Sequence, residues 1–302
     1  MRFVQIQTAS YCNAKCIICP HKDSWMRKHP GTMTDSLYQK ILEELQEWED
    51  ELNTGKMCPY LMNEPFCDSK ILDRIKLMRE MFPNTLIEIS TNAELMTPDK
   101  SRKLIDILAG TRHDVWISRH GVTPEDVKRN MFIDGEKSLE NIIYLLKEAD
   151  GQLNIAIKGF LYSFDDKIRL SKPRAFIRYW QNKFKEHDIK TNNIRVVAKS
   201  FHDRSGNVKI KGWQKPAIVR HIGPNNKFYC PRVDKWLHIL WNGDVILCCN
   251  DYQHETMFGN VKNQTIKEIL NSDSYKRIKD MVLGNVETPK DFICNRCTRI
   301  GG

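Results

Sequence analysis

The sequence predicts an α/β protein, a parallel sheet with its helices followed by a smaller, cysteine-bearing domain. Three observations carry that expectation. Over residues 1–200, six short apolar segments alternate with longer segments whose apolar residues recur at helical spacing, the pattern of βα units. Residues 201–229 break the alternation with Lys, Arg, Gly, Asn and Pro, and read as a connecting segment. Residues 230–302 change to short strand signals and closely set cysteines, a second domain.

Each element has its own signal. Phe3, Val4 and Ile6 mark the first strand. Thr34 is an N-cap before Leu37, Ile41, Leu45, Trp48 and Leu52, which share one helical face. Tyr60, Leu61 and Met62 end a second strand, and Asp68 or Ser69 caps a helix with Ile71, Leu72, Ile75 and Met78. Residues 85–90 form the third strand. Thr97-Pro98 opens the next helix, with proline in the first turn, where its missing N–H costs nothing. Residues 115–118 are the fourth strand, Thr123-Pro124 repeats the cap, and 139–146 is helical. Residues 155–159 are the fifth strand, 173–187 a helix, and 194–198 the sixth strand. In the second domain, 236–240 and 245–247 flank Asn242-Gly243, a dipeptide suited to a type I′ hairpin turn. A helix is expected over 265–281.

The 302 residues hold enough apolar side chains for one large core or two smaller ones. No apolar run has the length of a membrane span, and no secretory signal precedes the first strand. Ten cysteines in such a chain favour metal binding over a disulfide framework, with the reducing cytoplasm as the expected compartment. The net charge of +9 suits a lysine-rich surface, and also attraction of phosphorylated or nucleic-acid partners.

Cys12, Cys16 and Cys19 form a Cys-x3-Cys-x2-Cys array directly after the first strand. Three thiolates are one too few to close a tetrahedral zinc site. They suit a 4Fe-4S cluster that keeps one iron open. At these residues the chain resembles the radical S-adenosylmethionine (SAM) superfamily. The resemblance implies a partial (β/α)6, TIM-like barrel. It also implies a cluster whose open iron binds SAM, reductive cleavage to a 5′-deoxyadenosyl radical, and an electron donor such as flavodoxin or ferredoxin. Asn63-Glu64-Pro65 is similar to the family's Gly-Glu-Pro stretch, which would set Glu64 against the SAM ammonium. Ser90-Thr91-Asn92 resembles the ribose-contacting stretch, with Ala93 where glycine is common. Ser118 and Lys158 match positions for the ribose or carboxylate. Ile18 stands where relatives carry an aromatic residue.

Cys230, Cys248, Cys249, Cys294 and Cys297 lie in the last quarter of the chain. Four thiolates there would satisfy a structural zinc. Beside the first array, the region resembles the twitch form of the SPASM domain. The carrying residues are Cys230, the segment 241–245 leading into Cys248, residues 258–261, the helix from Ile266, and Cys294 with Cys297. This implies one auxiliary 4Fe-4S cluster on Cys230, Cys248, Cys294 and Cys297, with Cys249 the alternative to Cys248. Cys58, Cys67 and Cys249 are then left over. Cys67, close after Asn63-Glu64-Pro65, could return a hydrogen atom to a substrate radical.

The resemblance is to enzymes like 2-deoxy-scyllo-inosamine dehydrogenase. It implies hydrogen abstraction from a small polar substrate (a sugar, aminocyclitol or nucleotide-linked molecule), with the auxiliary cluster accepting an electron. Epimerisation, dehydration, and radical modification of a ribosomal peptide or a nucleic acid are the alternatives. For nucleic acid, Arg204, Lys209, Lys211, Lys215 and Arg220 supply charge, but Trp213 alone interleaves them, too few rings for a stacking platform. A zinc-stabilised binding protein is the non-enzyme reading, and it needs His21 as a fourth ligand for the first set.

Overall fold

The computed structural model describes residues 1–110, 113–213 and 218–298; Lys215 of the basic stretch lies outside them. Its strands are β1 (Phe3–Ile6), β2 (Lys56–Cys58), β3 (Leu86–Thr91), β4 (Asp114–Ser118), β5 (Asn154–Ser163), β6 (Ile194–Phe201), β7 (Trp236–Ile239), β8 (Asp244–Ile246) and β9 (Met257–Asn260). The longer helices are α1 (Asp35–Leu45), α2 (Ile71–Met81), α3 (Pro98–Leu108), α4 (Pro124–Met131), α5 (Gly135–Ala149), α6 (Pro173–Glu186), α7 (Ile266–Asn271) and α8 (Asp273–Leu283). They fall into two compact units. The first comprises Met1–Tyr11, Ile18–Asn63 and the described residues from His202 onward. The second comprises Cys12–Ile17 and the described residues between Glu64 and Phe201.

In the second unit β3, β4, β5 and β6 lie side by side, all parallel, with α3 to α6 supplying the crossovers. Parallel neighbours require such crossovers, which is why the alternating sequence pattern predicts this sheet. Thr97 and Thr123 cap α3 and α4 as expected, Thr123 through a full capping box with Asp126. Gly159 on β5 admits α6: a Cβ there would sit 2.9 Å from the Phe176 ring, so only glycine lets the helix settle this closely. Beneath α2, Arg74 Nη1 pairs with Asp68 Oδ2 at 3.1 Å, and both side chains are buried. Asp68 Oδ1 also accepts from Lys70 N, holding the turn before α2.

In the first unit β1 pairs in parallel with β2 on one side and β7 on the other, and β7, β8 and β9 continue as an antiparallel meander. Three expectations are corrected here. The second strand is Lys56–Cys58, paired Phe3↔Lys56 to Gln5↔Cys58, and not the apolar run 60–62. That run is buried in a turn in which Asn63 Oδ1 accepts from Leu61 N at 3.0 Å. A short apolar run signals burial, and burial does not distinguish strand from loop. The hairpin turn is not type I′. Gly243 N bonds Leu240 O at 2.9 Å and Gly243 alone has positive φ, +90°, giving a longer loop. The helix expected over 265–281 is two helices, because Ser272 caps α8 just after Thr265 has capped α7 in its own capping box.

Candidate metal centres and cofactor pocket

In the second unit, the loop carrying Cys12 and Cys16 packs on Ala14, Val127, Met131 and Ile133. Its backbone is pinned by Lys15 N to Met131 O and Ile17 N to Asn130 O, each 2.9 Å. Asn13 ties it to the end of β3: Oδ1 accepts from Asn92 Nδ2 at 2.8 Å, and Nδ2 donates to Glu94. The other Glu94 oxygen accepts from Asp134 N at 2.8 Å, just ahead of α5. Ala93 adopts the left-handed conformation (φ +64°) at the place where glycine is common, and Asn141 Nδ2 holds its carbonyl at 2.9 Å. An open cleft with an empty volume of about 1040 Å³ lies here, lined by Asn13, Glu94, Lys128, Phe132, Asp134 and Glu136 among others.

Glu64 is buried and fully engaged. Thr91 Oγ1 donates to Oε1 at 2.7 Å, Asn92 N to Oε2 at 2.8 Å, and Phe66 N to Oε1 at 3.2 Å. Burial pushes its carboxyl up to about 7, against the pull of these three donors. Thr91 and Asn92 thus build the pocket around Glu64, while Ser90, one residue earlier on the strand, faces the opposite side. Ser118, at the end of β4, is the register partner of Lys158 in the middle of β5. The buried Lys158 ammonium lies against the Trp116 ring. Cys67 Sγ is 3.9 Å from Asn13 Oδ1, and burial, aided by the Glu64 charge, pushes its thiol up to about 11. It therefore carries its proton at neutral pH. Asn63 belongs to the first unit, and its buried Nδ2 has no hydrogen-bond partner there among the described residues.

The sequence reading missed Asn13, Glu94 and Arg119. Arg119 follows Ser118, is fully buried, and donates from Nη1 to Gly135 O at 3.3 Å. Burial lowers its pKa. A charged residue at a strand's C-terminal end was the available signal.

In the first unit, Cys19 Sγ stands 3.8 Å from Tyr252 Oη. His21 is buried with Nε2 on Ser10 O at 2.8 Å, and burial lowers its pKa. That bond occupies Nε2 and leaves Nδ1 as the nitrogen a metal would use.

Cys230, Cys248, Cys294 and Cys297 line a single cavity, together with Ser205, Arg232 and apolar side chains; Cys249 does not line it. All four thiols are buried, and burial drives the pKa values of Cys248 and Cys294 well up. Four thiols around one cavity would suit a polynuclear cluster, in which each thiolate bonds a different iron, as well as a structural zinc. The Arg232 guanidinium lies in the cavity wall, stacked 5.0 Å from the Trp236 ring, with its buried Nε unpartnered. Burial opposes its charge, but the neighbouring cysteines raise its pKa, so it is the built-in counter-charge for thiolates there. The donor set and the orphaned Nε fit an anionic iron–sulfur cluster.

The segment just before this domain carries unusual backbone. Arg204, Ser205 and Gly206 all have positive φ, at +51°, +57° and +76°. Only glycine adopts this conformation freely, and each non-glycine residue there costs about 1–3 kcal/mol. Asn207 Nδ2 holds the turn by donating to Arg204 O at 2.9 Å and Asn250 O at 3.1 Å, and Val208 N closes it on Asp203 O.

Residues 230–298 match the SPASM family, described as an iron-sulfur cluster-binding domain. No curated protein matches the chain in sequence. Among solved structures, BtrN in complex with AdoMet and 2-DOIA superposes with a TM-score of 0.63 at 17% identity, over 99% of this chain and 94% of that one. Streptococcus suis SuiB bound to S-adenosylmethionine gives 0.55 at 15% identity, over 92% of this chain and 67% of that one. For anSMEcpe with bound AdoMet the TM-score is 0.55 at 16% identity, over 92% and 83%. The chain thus shares the α/β fold of these AdoMet-bound structures, and its residues 230–298 match the SPASM iron–sulfur cluster-binding domain.

Proposed function

We propose that this chain is a radical SAM enzyme that oxidises a small polar substrate. The observation that carries the reading is the single cavity lined by four buried cysteines, inside the SPASM segment of a chain with this fold. Cys12, Cys16 and Cys19 would hold the SAM-binding 4Fe-4S cluster, and Cys230, Cys248, Cys294 and Cys297 an auxiliary one. When bound, the first cluster and SAM supply a 5′-deoxyadenosyl radical able to take a hydrogen atom from substrate. The division of labour is linear in this reading, with 1–200 the barrel, 201–229 the connection and 230–302 the auxiliary domain.

The chain's own residues then have distinct tasks. Glu64, oriented by Thr91, Asn92 and Phe66, receives the SAM ammonium. Asn63, Ser118 and Lys158 serve its remaining polar groups, while Ser90, on the opposite face of β3 from Thr91, does not. Asn13 and Glu94 fix the cysteine loop against β3, so that the loop does not depend on the metal for its position. Arg232 offsets negative charge at the auxiliary site and favours its accepting an electron from substrate. The protonated Cys67 thiol stands ready as a hydrogen donor in the epimerising alternative. A flavodoxin or ferredoxin is the expected electron donor. The neighbour BtrN is seen with the small molecule 2-DOIA at a TM-score of 0.63, which supports a small-molecule substrate.

Iron, zinc and sulfide content after anaerobic reconstitution tests the reading. Wild type should hold about eight irons, and the Cys12/Cys16/Cys19→Ala variant about four. Zinc in both samples without iron would end it. The Glu64 carboxyl adds a pH signature. An ammonium pairs with the ionised form, which a pKa of about 7 makes scarce in acid. SAM should therefore bind about tenfold more tightly at pH 8 than at pH 6. Glu64→Gln should bind weakly and without pH dependence, as measured by equilibrium dialysis. A pH-independent wild type would remove Glu64 from the role.

A further inference from the structure

The function above gives Tyr252 no task, yet its segment reaches both cysteine sets. We propose that the Tyr252 hydroxyl donates a hydrogen bond to the Cys19 sulfur and so raises the reduction potential of the cluster on the first array. This rests on the reading of Cys12, Cys16 and Cys19 as ligands of that cluster, and it gives a residue of the 230–302 segment a part in electron delivery.

The contact is direct. Tyr252 Oη lies 3.8 Å from Cys19 Sγ, across 233 positions of sequence, and both residues belong to the first compact unit. Tyr252 is buried, and among the described residues no other group hydrogen-bonds its hydroxyl. Between a free thiol and a phenol either atom can donate. Metal binding removes that choice, because a cysteine on iron is a thiolate and only accepts. The phenol O–H is then the donor, in a charge-assisted bond.

The hydroxyl is held in place from both sides. Trp25 N donates to Tyr252 O at 2.9 Å, and Gln253 Nε2 to Asp23 O at 3.4 Å, so the chain after Cys19 is tied to the chain around Tyr252. The His254 ring stacks on Trp25 at 4.0 Å and 9° from parallel, while its Nε2 meets Asp244 Oδ2 at 2.9 Å. Toward the other set, Tyr252 N donates to Asn250 O at 2.9 Å, and Asn250 N to Cys248 Sγ at 3.4 Å. Asp251 stiffens this turn by accepting from Glu255 N at 2.7 Å and Thr256 N at 2.9 Å. One turn therefore reaches a sulfur of each set, through a backbone N–H at Cys248 and a side-chain hydroxyl at Cys19. Hydrogen bonds to the sulfurs help set the potential of an iron–sulfur cluster. Reduction adds negative charge, so a donor aimed at a sulfur stabilises the reduced form more than the oxidised one. The Tyr252 O–H thus eases arrival of the electron from the donor protein.

Redox titration of the reconstituted protein, followed by electron paramagnetic resonance with and without SAM, tests the proposal. The signal that SAM perturbs belongs to the first array. Tyr252→Phe removes only the hydroxyl. It should keep the wild-type iron content and make the SAM-sensitive cluster about tenfold harder to reduce, a fall of about 59 mV for one electron. A 3-fluorotyrosine at position 252, a more acidic donor of nearly the same size, should move the potential upward. If the phenylalanine variant loses iron, the fluorinated protein alone decides, and an unchanged potential in it overturns the proposal. With iron retained, an unchanged SAM-sensitive potential in Tyr252→Phe overturns it. A shift confined to the SAM-insensitive signal assigns the hydroxyl to the auxiliary site, and also overturns it. Should SAM perturb no signal while one cluster's potential still follows position 252, the radical SAM reading falls and the hydrogen bond stands.

Discussion

Cys16→Ala is expected to reduce reductive SAM cleavage to background while leaving about four irons in the protein. A site-differentiated cluster on three thiolates has no spare ligand, so loss of one removes the iron that SAM must reach. The variant should still fold. The loop is anchored by the flanking bonds from Lys15 N and Ile17 N, by Asn13 to Asn92 and Glu94, and by packing on Val127 and Met131. None of these uses the Cys16 sulfur for its hydrogen bond. 5′-Deoxyadenosine, assayed with chemical reductant, is the readout. Formation at the wild-type rate would separate this array from SAM chemistry altogether.

Cys294→Ala should produce the complementary result. Iron is expected to fall from about eight to about four, with loss of the auxiliary signal in electron paramagnetic resonance. Uncoupled 5′-deoxyadenosine formation should stay within about twofold of wild type, because the change touches substrate oxidation and not delivery of an electron to SAM. The four thiols share one cavity with the half-buried Arg232, so removing the metal also leaves this cation without its counter-charge, and thermal stability should fall. Normal substrate oxidation by a well-folded variant lacking this cluster would strip the cluster of a redox role and leave it structural.

The parts of the molecule legible in sequence are those that local chemistry specifies. Thr97 before Pro98 and Thr123 before Pro124 cap helices in the structure because hydroxyl and proline act within one turn. The alternation of apolar segments foretold the parallel sheet, and Cys230, Cys248, Cys294 and Cys297 do meet in one cavity. What could not be read depends on distance along the chain or on competition between good local signals. Asn13 and Glu94 are 81 positions apart, and neither belongs to a recognisable spacing. The helix after Thr265 is interrupted because Ser272 is as good a cap as Thr265, and periodicity alone does not report a second start. The run Tyr60, Leu61, Met62 is buried without being a strand, because β1 takes its partner earlier in the chain, at Lys56–Cys58. Arg204 looked like one charge among several until its backbone conformation set it apart.

The parallel pairing of β1 with β7 has a consequence for biosynthesis. At ordinary translation speed, Trp236 leaves the ribosome roughly 10–50 s after Phe3. Through that interval β1 has β2 on one edge and nothing from β7 on the other. Tyr252, the neighbour of Cys19, arrives later still. A nascent chain therefore presents an open strand edge next to free cysteines for as long as β7 is missing. Truncation anywhere before β7 would cost the N-terminal strand its second partner as well as Cys248, Cys294 and Cys297 of the second cavity.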